Sequence, residues 1–275
     1  MQTTKIAFIG AGNMASALIG GMLGEGFTVA NIRATDPYQP SLDSLRAQFG
    51  VSEAANNVAA ADWADVVVLA VKPQVMKDVI TELRAAKLNA LPLFISIAAG
   101  ITSASIQAWL GQPASIVRCM PNTPALMQLG ASGLCASALV SAEQRELTDA
   151  ILSAVGITCW VENEGQLDAV TAVSGSGPAY FFAVMEAMQN VAISMGLDEA
   201  VAAKFVQQTA LGAARMAQDS DVDVAELRRR VSSPGGTTLA ALQQLEAGGL
   251  DDLFAVALEA ARARAEEMGR ELGDI

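Results

Sequence analysis

Lys5-Ile6-Ala7-Phe8-Ile9-Gly10-Ala11-Gly12-Asn13-Met14-Ala15 reads as a buried strand, a glycine turn and the start of a helix, in that order. Ile6 to Ile9 form an unbroken apolar run, the pattern of a parallel strand covered on both faces. Gly10 and Gly12 break the run, and Met14, Leu18 and Met22 then recur at helical spacing. Gly10 permits a tight turn, and Gly12 lets backbone N–H groups approach a pyrophosphate at the positive end of a helix. Ala15 fills the third small position, where helix and strand pack closely. Asp36 closes the next strand, Asn31-Ile32-Arg33-Ala34-Thr35-Asp36. The context is that of a dinucleotide-binding βαβ unit.

Outward from this stretch, strands and helices alternate. Leu42, Leu45 and Phe49 mark a helix ended by Gly50, and Val66-Val67-Val68-Leu69-Ala70-Val71 is a central parallel strand ending in Lys72-Pro73. Leu93-Phe94-Ile95-Ser96-Ile97 ends in Ala98-Ala99-Gly100, and Ile116-Val117-Arg118-Cys119-Met120 ends in Pro121-Asn122-Thr123-Pro124. These ends lie where open parallel sheets bind ligands, although ordinary loop chemistry accounts for them equally well. Ser141 with Gln144 makes a capping box, and Ile157-Thr158-Cys159-Trp160-Val161 closes the alternating region. An acid at Asp36 favours a free ribose 2′-hydroxyl, whereas Thr35 and Arg33 offer partners to a 2′-phosphate, so the residues leave the cofactor type open.

The pattern changes at Glu162-Asn163-Glu164-Gly165, beyond which only helices are expected. One runs from Pro178 to about Met195, is apolar on nearly every side, and therefore belongs in a core or a subunit interface. Asp198 caps the next, and Val224, Leu227 and Val231 mark a short one. Ser232-Ser233-Pro234-Gly235-Gly236-Thr237-Thr238 then leads into another helix, presenting N–H groups and hydroxyls to an anion; the alternative is a simple N-capped turn. The expected architecture is an α/β Rossmann-like dinucleotide-binding domain, residues 1–162, followed by an all-α domain, residues 163–275.

Composition narrows the chemistry. The net charge is −12 and argues against a nucleic-acid surface; Arg228-Arg229-Arg230 reads as a solvated helix face. The chain has no histidine, which excludes Ser-His-Asp and Cys-His catalysis and any imidazole metal site. No metal is expected. No apolar run approaches the ~18–20 residues of a membrane span, and no signal peptide is visible before the first strand. Cys119, Cys135 and Cys159, without CxxC spacing, read as buried thiols of a reducing cytoplasm.

Residues 231–245 resemble the signature of the pyrroline-5-carboxylate reductases, the last enzymes of proline synthesis. Residues 10–15, 70–73, 98–100, 118–124 and Val173-Ser174-Gly175-Ser176-Gly177-Pro178-Ala179 match in family order. The resemblance implies a cofactor held by Gly10, Ala11, Gly12, Asn13 and Met14, by Thr35, by Asn57, by Ala70, Val71, Lys72 and Pro73, and by Ala98, Ala99 and Gly100; the residues themselves add Asp36 and Asn122 as candidate contacts. It implies NADP, with NADPH preferred and NADH open because of Asp36. It places the substrate carboxylate on Ser233, Gly235, Gly236 and Thr237, with Thr238 as the catalytic residue beside the ring nitrogen; Asp221, just upstream, is a candidate read from its position for contacting that nitrogen. It implies a homodimer through the C-terminal helices, with further assembly left open. A protonated cyclic imine needs only hydride delivery, which suits a chain without histidine. Two alternatives are a 3-hydroxyacid dehydrogenase, whose central-helix lysine is missing from residues 180–195, and a non-catalytic dinucleotide sensor.

Overall fold

A computed structural model describes residues 3–273. The chain divides into two compact units: the first runs to Ser176 and takes in the chain again from Ala260, and the second is Gly177–Glu259.

The first unit is built on β1 (Ile6–Ile9), β2 (Ile32–Thr35), β3 (Ser52–Glu53), β4 (Val66–Leu69), β5 (Leu93–Ser96), β6 (Ile116–Met120), β7 (Gly130–Ala136) and β8 (Gly156–Trp160). They form one sheet in the order β3-β2-β1-β4-β5-β6-β7-β8. β1 to β6 run parallel, with Phe8 opposite Ala34 and Val68; β6 and β7 pair antiparallel, and β7 and β8 parallel. Both faces are covered, and this is why the strands are apolar throughout. Ile6, Phe8, Val66 and Val68 enter one core, whereas Ala7, Ile9, Val67 and Leu69 enter the other. The helices are α1 (Asn13–Gly24), α2 (Gln39–Phe49), α3 (Asn57–Trp63), α4 (Met76–Ala86), α5 (Ser103–Leu110) and α6 (Ala142–Leu152). Gly50 ends α2 in the left-handed region at φ +74°, and the Ser141–Gln144 capping box opens α6, both as the residues imply.

Several features depart from the sequence reading. Pro73 opens a 3₁₀ turn, Pro73–Val75, ahead of α4. β7 follows β6 through a 3₁₀ turn at Thr123–Met127 without a crossover helix, so the expected alternation of strand and helix is interrupted after β6. The packing boundary also falls later than residue 162, because α7 (Gly165–Val170) and a π-helical segment, Thr171–Gly175, stay with the first unit. Glu164 pairs with Arg118, and Val170 sits on Gly133, where a Cβ would lie 2.7 Å from its Cγ1.

The second unit holds α8 (Gly177–Ser194), α9 (Glu199–Gln218), α10 (Val224–Arg230) and α11 (Thr237–Ala247). α8 and α9 pack on each other, and Asp198 caps α9 by accepting from Ala200 N. α12 (Leu250–Gly273) begins in this unit and ends in the first, with its last turns over Gly100. Arg228, Arg229 and Arg230 are solvent-exposed, as read, with Glu226 paired to the latter two. Among the described residues no helix is long and apolar enough to cross a membrane.

Candidate active site

The glycine turn is set by its neighbours. Gly10 has φ +104°, and a Cβ there would lie 2.5 Å from the Ala70 carbonyl oxygen, so only glycine fits. Its N–H donates to the Thr35 carbonyl at 2.8 Å, and Ala70 N donates to the Ile9 carbonyl at 2.8 Å. Gly12 differs. It is the N-cap of α1 with no side-chain cap bond, and a Cβ there would meet nothing within 4 Å. The first N–H groups of α1 therefore open onto free space at the positive end of the helix, and a phosphate fits there. Asn13 is exposed and Met14 half-buried in this first turn.

The remaining candidates of the first unit follow the carboxyl ends of β2 to β6. Asp36 is half-buried and bonded to backbone on both oxygens: Oδ2 accepts from Ala11 N at 2.7 Å and Oδ1 from Tyr38 N at 2.8 Å. Its carboxylate thus ties the end of β2 to the glycine turn. Thr35 is buried. Arg33 lies 4.2 Å over the Trp63 ring. Asn57 opens α3, and its Nδ2 donates to Glu82 Oε2 at 2.7 Å. Val71 and Pro73 are half-buried and Lys72 exposed; Ala98 is buried, and Ala99 and Gly100 are half-buried. Ser96 Oγ, at the end of β5, is buried without a hydrogen-bond partner among the described residues.

Asn122 points inward. Its Nδ2 donates to Ser174 O and Oγ, both at 3.2 Å, and its Oδ1 accepts from Ala131 N at 2.9 Å. Ser174 Oγ in turn donates to the Ala131 carbonyl at 3.0 Å. This side chain links β6, β7 and the π-helical segment, so it is a structural latch whose polar atoms are all engaged. Sequence reasoning also passed over Arg118. Its guanidinium is buried on β6 and donates to Glu164 Oε2 at 2.7 Å, while Glu164 also accepts from the Ser103 N–H and hydroxyl.

Two of the thiols, Cys119 and Cys135, are buried and held in the protonated form. Burial pushes Cys119 up to about 12, and burial with the nearby Glu164 carboxylate raises Cys135. Cys159 is exposed, contrary to the sequence reading, because β8 is the edge strand and its Cys159 face is uncovered.

In the second unit, the stretch from Ser232 to Thr238 forms a turn into α11. Gly235 has φ +71°, Gly236 N donates to the Ser233 carbonyl at 3.0 Å, and Gly236 is the N-cap without a side-chain cap bond. Thr237 and Thr238 are the first two residues of α11, and both are exposed, as are Ser233 and Asp221. The N–H groups of Thr237, Thr238 and Leu239 have no intrahelical acceptor by the geometry of an α-helix. The starts of α1 and α11, one in each unit, are both led by glycine and lack a side-chain cap bond, which suits them to anions.

Comparison with known proteins gives this arrangement a family. Residues 164–268 match the family described as pyrroline-5-carboxylate reductase dimerisation, and residues 5–100 match NADP oxidoreductase, coenzyme F420-dependent. A pyrroline-5-carboxylate reductase from Pseudomonas aeruginosa is 53% identical over 99% of this chain and 100% of its own length. The chain belongs to the pyrroline-5-carboxylate reductases. The solved reductase from Coxiella burnetii is 44% identical and superposes with a TM-score of 0.93, covering 97% of this chain and 98% of that one. A Plasmodium falciparum pyrroline carboxylate reductase solved with NADP bound is 28% identical with a TM-score of 0.85, covering 98% and 99%. The enzyme reduces 1-pyrroline-5-carboxylate to L-proline with a nicotinamide dinucleotide, the last step of proline biosynthesis. The 3-hydroxyacid dehydrogenase and sensor alternatives are not favoured. The match over residues 164–268 makes the reductase a homo-oligomer acting on a small molecule.

Proposed function

We propose that the reductase divides its work between these two helix starts. The functional division follows residue 162, which the dimerisation match from residue 164 supports: residues 1–162 bind the dinucleotide, and residues 163–275 bind substrate and associate. The N–H groups at the start of α1 hold the pyrophosphate, and the carboxyl ends of β2 to β5, with Asn57, Ala70 to Pro73 and Ala98 to Gly100, line the rest. NADPH is preferred, and NADH is accepted to the extent that the Asp36 carboxylate tolerates the ribose it faces. The bound cofactor supplies the hydride. The turn at Ser233, Gly235, Gly236 and Thr237 holds the substrate carboxylate, and the Thr238 hydroxyl orients the ring nitrogen, with Asp221 as a further contact. Asn122, held by Ser174 and Ala131 at the end of β6, is a further cofactor contact. The protein works in a reducing cytoplasm, in keeping with its free thiols. It forms a homodimer through α8 to α12, whose exposed Phe181, Phe182 and Phe254 support this.

The observation that carries this reading is the uncapped start of α11 after Gly235 and Gly236. Thr237→Pro tests it. Proline is tolerated at the first position of a helix, and Gly236, at φ −82° and ψ 164°, has the extended backbone that a residue before proline requires. The substitution deletes one backbone donor together with the exposed Thr237 hydroxyl, and Thr237→Val, which removes the hydroxyl alone, separates the two. KM for pyrroline-5-carboxylate should rise about ten-fold with dinucleotide affinity and melting temperature unchanged. An unaltered KM excludes this turn as the carboxylate site.

A further inference from the structure

Ser96 ends β5 and Ser103 begins α5, so only residues 97–102 connect them, Ala98, Ala99 and Gly100 included. The strand order changes direction at β1, and a dinucleotide crosses such a point with its adenosine half over β2. The nicotinamide half then falls over β4 and β5, which puts this connection beside the reacting end. Gly100 has φ +78°, and a Cβ there would lie 3.3 Å from Leu272 Cδ1 and 3.4 Å from Gly269 N, so α12 closes one side of the turn. On the other side, Thr102 caps α5 by accepting from Ser105 N at 3.0 Å, which leaves the Ser103 N–H without a helical acceptor.

That donor is met from far along the chain. Glu164, 61 residues on, accepts from the Ser103 N–H at 3.1 Å and from the Ser103 hydroxyl. A carboxylate at a helix start is also favoured by the helix dipole. Its other oxygen takes a bond from Arg118 Nη1 at 2.7 Å. Arg118 is 7% exposed, and in the sheet register it stands opposite Ser96, the residue from which the turn departs. A pair this well buried keeps one geometry, because separating it strands a guanidinium away from water. Glu164 therefore ties the two ends of the connection together, the end of β5 by way of Arg118 and the start of α5 by way of Ser103. All these groups belong to the first unit.

We propose that Glu164 is a positioning residue for hydride transfer, fixing through Ser103 the turn of residues 98–100 against which the nicotinamide is placed. The inference rests on the reading that this turn meets the dinucleotide. A misplacement of about 1 Å at the reacting atoms can cost roughly a hundred-fold in rate, so a held turn matters to the chemistry and not only to the fold.

Ser103→Pro cuts the link and keeps the ion pair. Ser103 is the first residue of α5, where proline is tolerated, and Thr102, at φ −78° and ψ 156°, has the extended backbone that precedes proline. In single turnovers, with enzyme saturated by NADPH and then mixed with pyrroline-5-carboxylate, hydride transfer should be about ten-fold slower than in the native enzyme. NADPH affinity and melting temperature should be unchanged, since the start of α1 is untouched. Ser103→Thr keeps both donors and should restore the native rate. Amide exchange in residues 97–101 should be faster in unliganded Ser103→Pro than in the unliganded native enzyme. A native transfer rate in Ser103→Pro overturns the inference. So does a loss confined to NADPH affinity, which would make the turn a binding contact only. Should proline lower the melting temperature, Ser103→Ala takes its place: it removes the hydroxyl alone, transfer should be about three-fold slower, and a native rate overturns the inference again. The underlying reading is checked apart, by exchange in the native enzyme with and without NADPH. Protection of residues 97–101 by NADPH is expected, and unchanged exchange there removes the turn from the dinucleotide site.

Discussion

The two units of this reductase solve the burial problem in opposite ways. In the α/β unit, β1, β4 and β5 are buried on both faces, and two cores sandwich the sheet. In the helical unit, by contrast, only Ala202 and Val206 are buried among the apolar residues, while Phe181 and Phe182 are 67% and 64% exposed. The aliphatic and aromatic content of the two halves is similar in kind, so composition is not what separates them. The α/β unit covers its own apolar surface, whereas the helices leave theirs for another chain. Removing such surface from water contributes ~25 cal/mol per Å², and for the helical unit that contribution arises on association.

The largest expected effect follows from this contrast. Replacing Phe181 and Phe182 together with Asp puts two charges where apolar contact is required, which should cost roughly 5–8 kcal/mol of association free energy. Light scattering should then show a monomer at micromolar concentration. The far-ultraviolet signal of the sheet should persist, because its core is internal. An oligomer of unchanged mass would mean that α8 is not at the interface and would erase the comparison.

Within the α/β unit, the glycine turn offers a second contrast between two residues of one motif. Gly10 stands at φ +104° against the Ala70 carbonyl, and Gly12 stands at φ −76° facing open space. Gly10→Val should therefore destabilise the unit by about 4 kcal/mol or more. Gly12→Val should leave the melting temperature alone and abolish measurable dinucleotide binding. The pair separates folding from binding two residues apart. Equal effects on the melt would show that the Gly12 position is structural too.

Much of this contrast was legible in the sequence. Strands covered on both faces announce themselves as apolar runs, and so β1, β4, β5 and β6 read correctly, as did the helical character of the chain after residue 162. β7, Gly-Ala-Ser-Gly-Leu-Cys-Ala, did not. Its glycines are there because Val170 packs on Gly133 and because Gly130 lies against Gly156, and neither partner is near in sequence. The latch role of Asn122 was hidden for the same reason, since its partner Ser174 is 52 residues away. Cys159 was misjudged because alternation along a strand separates its two faces without saying which face a helix will cover. The candidate site was legible where it is local, as glycine before a helix, and illegible where it depends on side chains meeting from distant strands.

Thr238 tests the helical unit's own site. The capping position of α11 is Gly236, and Thr238 is an exposed second helical residue, so it makes no cap whose loss would lower stability. Thr238→Ala should leave the melt unchanged. If the hydroxyl orients the imine, kcat/KM should fall by roughly ten- to hundred-fold, corresponding to ~1.5–3 kcal/mol. Normal turnover in the variant would remove the residue from the chemistry.

Asp36 sharpens the cofactor side. Its carboxylate already accepts from Ala11 N and Tyr38 N, which fixes a negative charge beside the turn that meets the dinucleotide. Asp36→Ser removes that charge, and the ratio of kcat/KM for NADPH over NADH should rise about ten-fold, or ~1.4 kcal/mol. A fixed ratio would mean that the carboxylate serves the turn alone.

The smallest effect comes from Ser96, whose buried hydroxyl contrasts with the bonded side chains of buried Arg118, Asn122 and Thr148. It is the last residue of β5, and its Oγ is buried with no hydrogen-bond partner among the described residues. An unsatisfied hydroxyl in such a place carries a desolvation cost of ~1–3 kcal/mol. Alanine removes the oxygen and leaves a space smaller than a methyl group, so part of the gain is lost to the void. Ser96→Ala should therefore stabilise the α/β unit by about 0.5–1 kcal/mol, read as a rise of a few degrees in melting temperature. The same substitution should leave oligomer mass unchanged, since the strand is internal to its unit. A lower melting temperature would show that the hydroxyl is satisfied in solution, and that even this core depends on a polar bond.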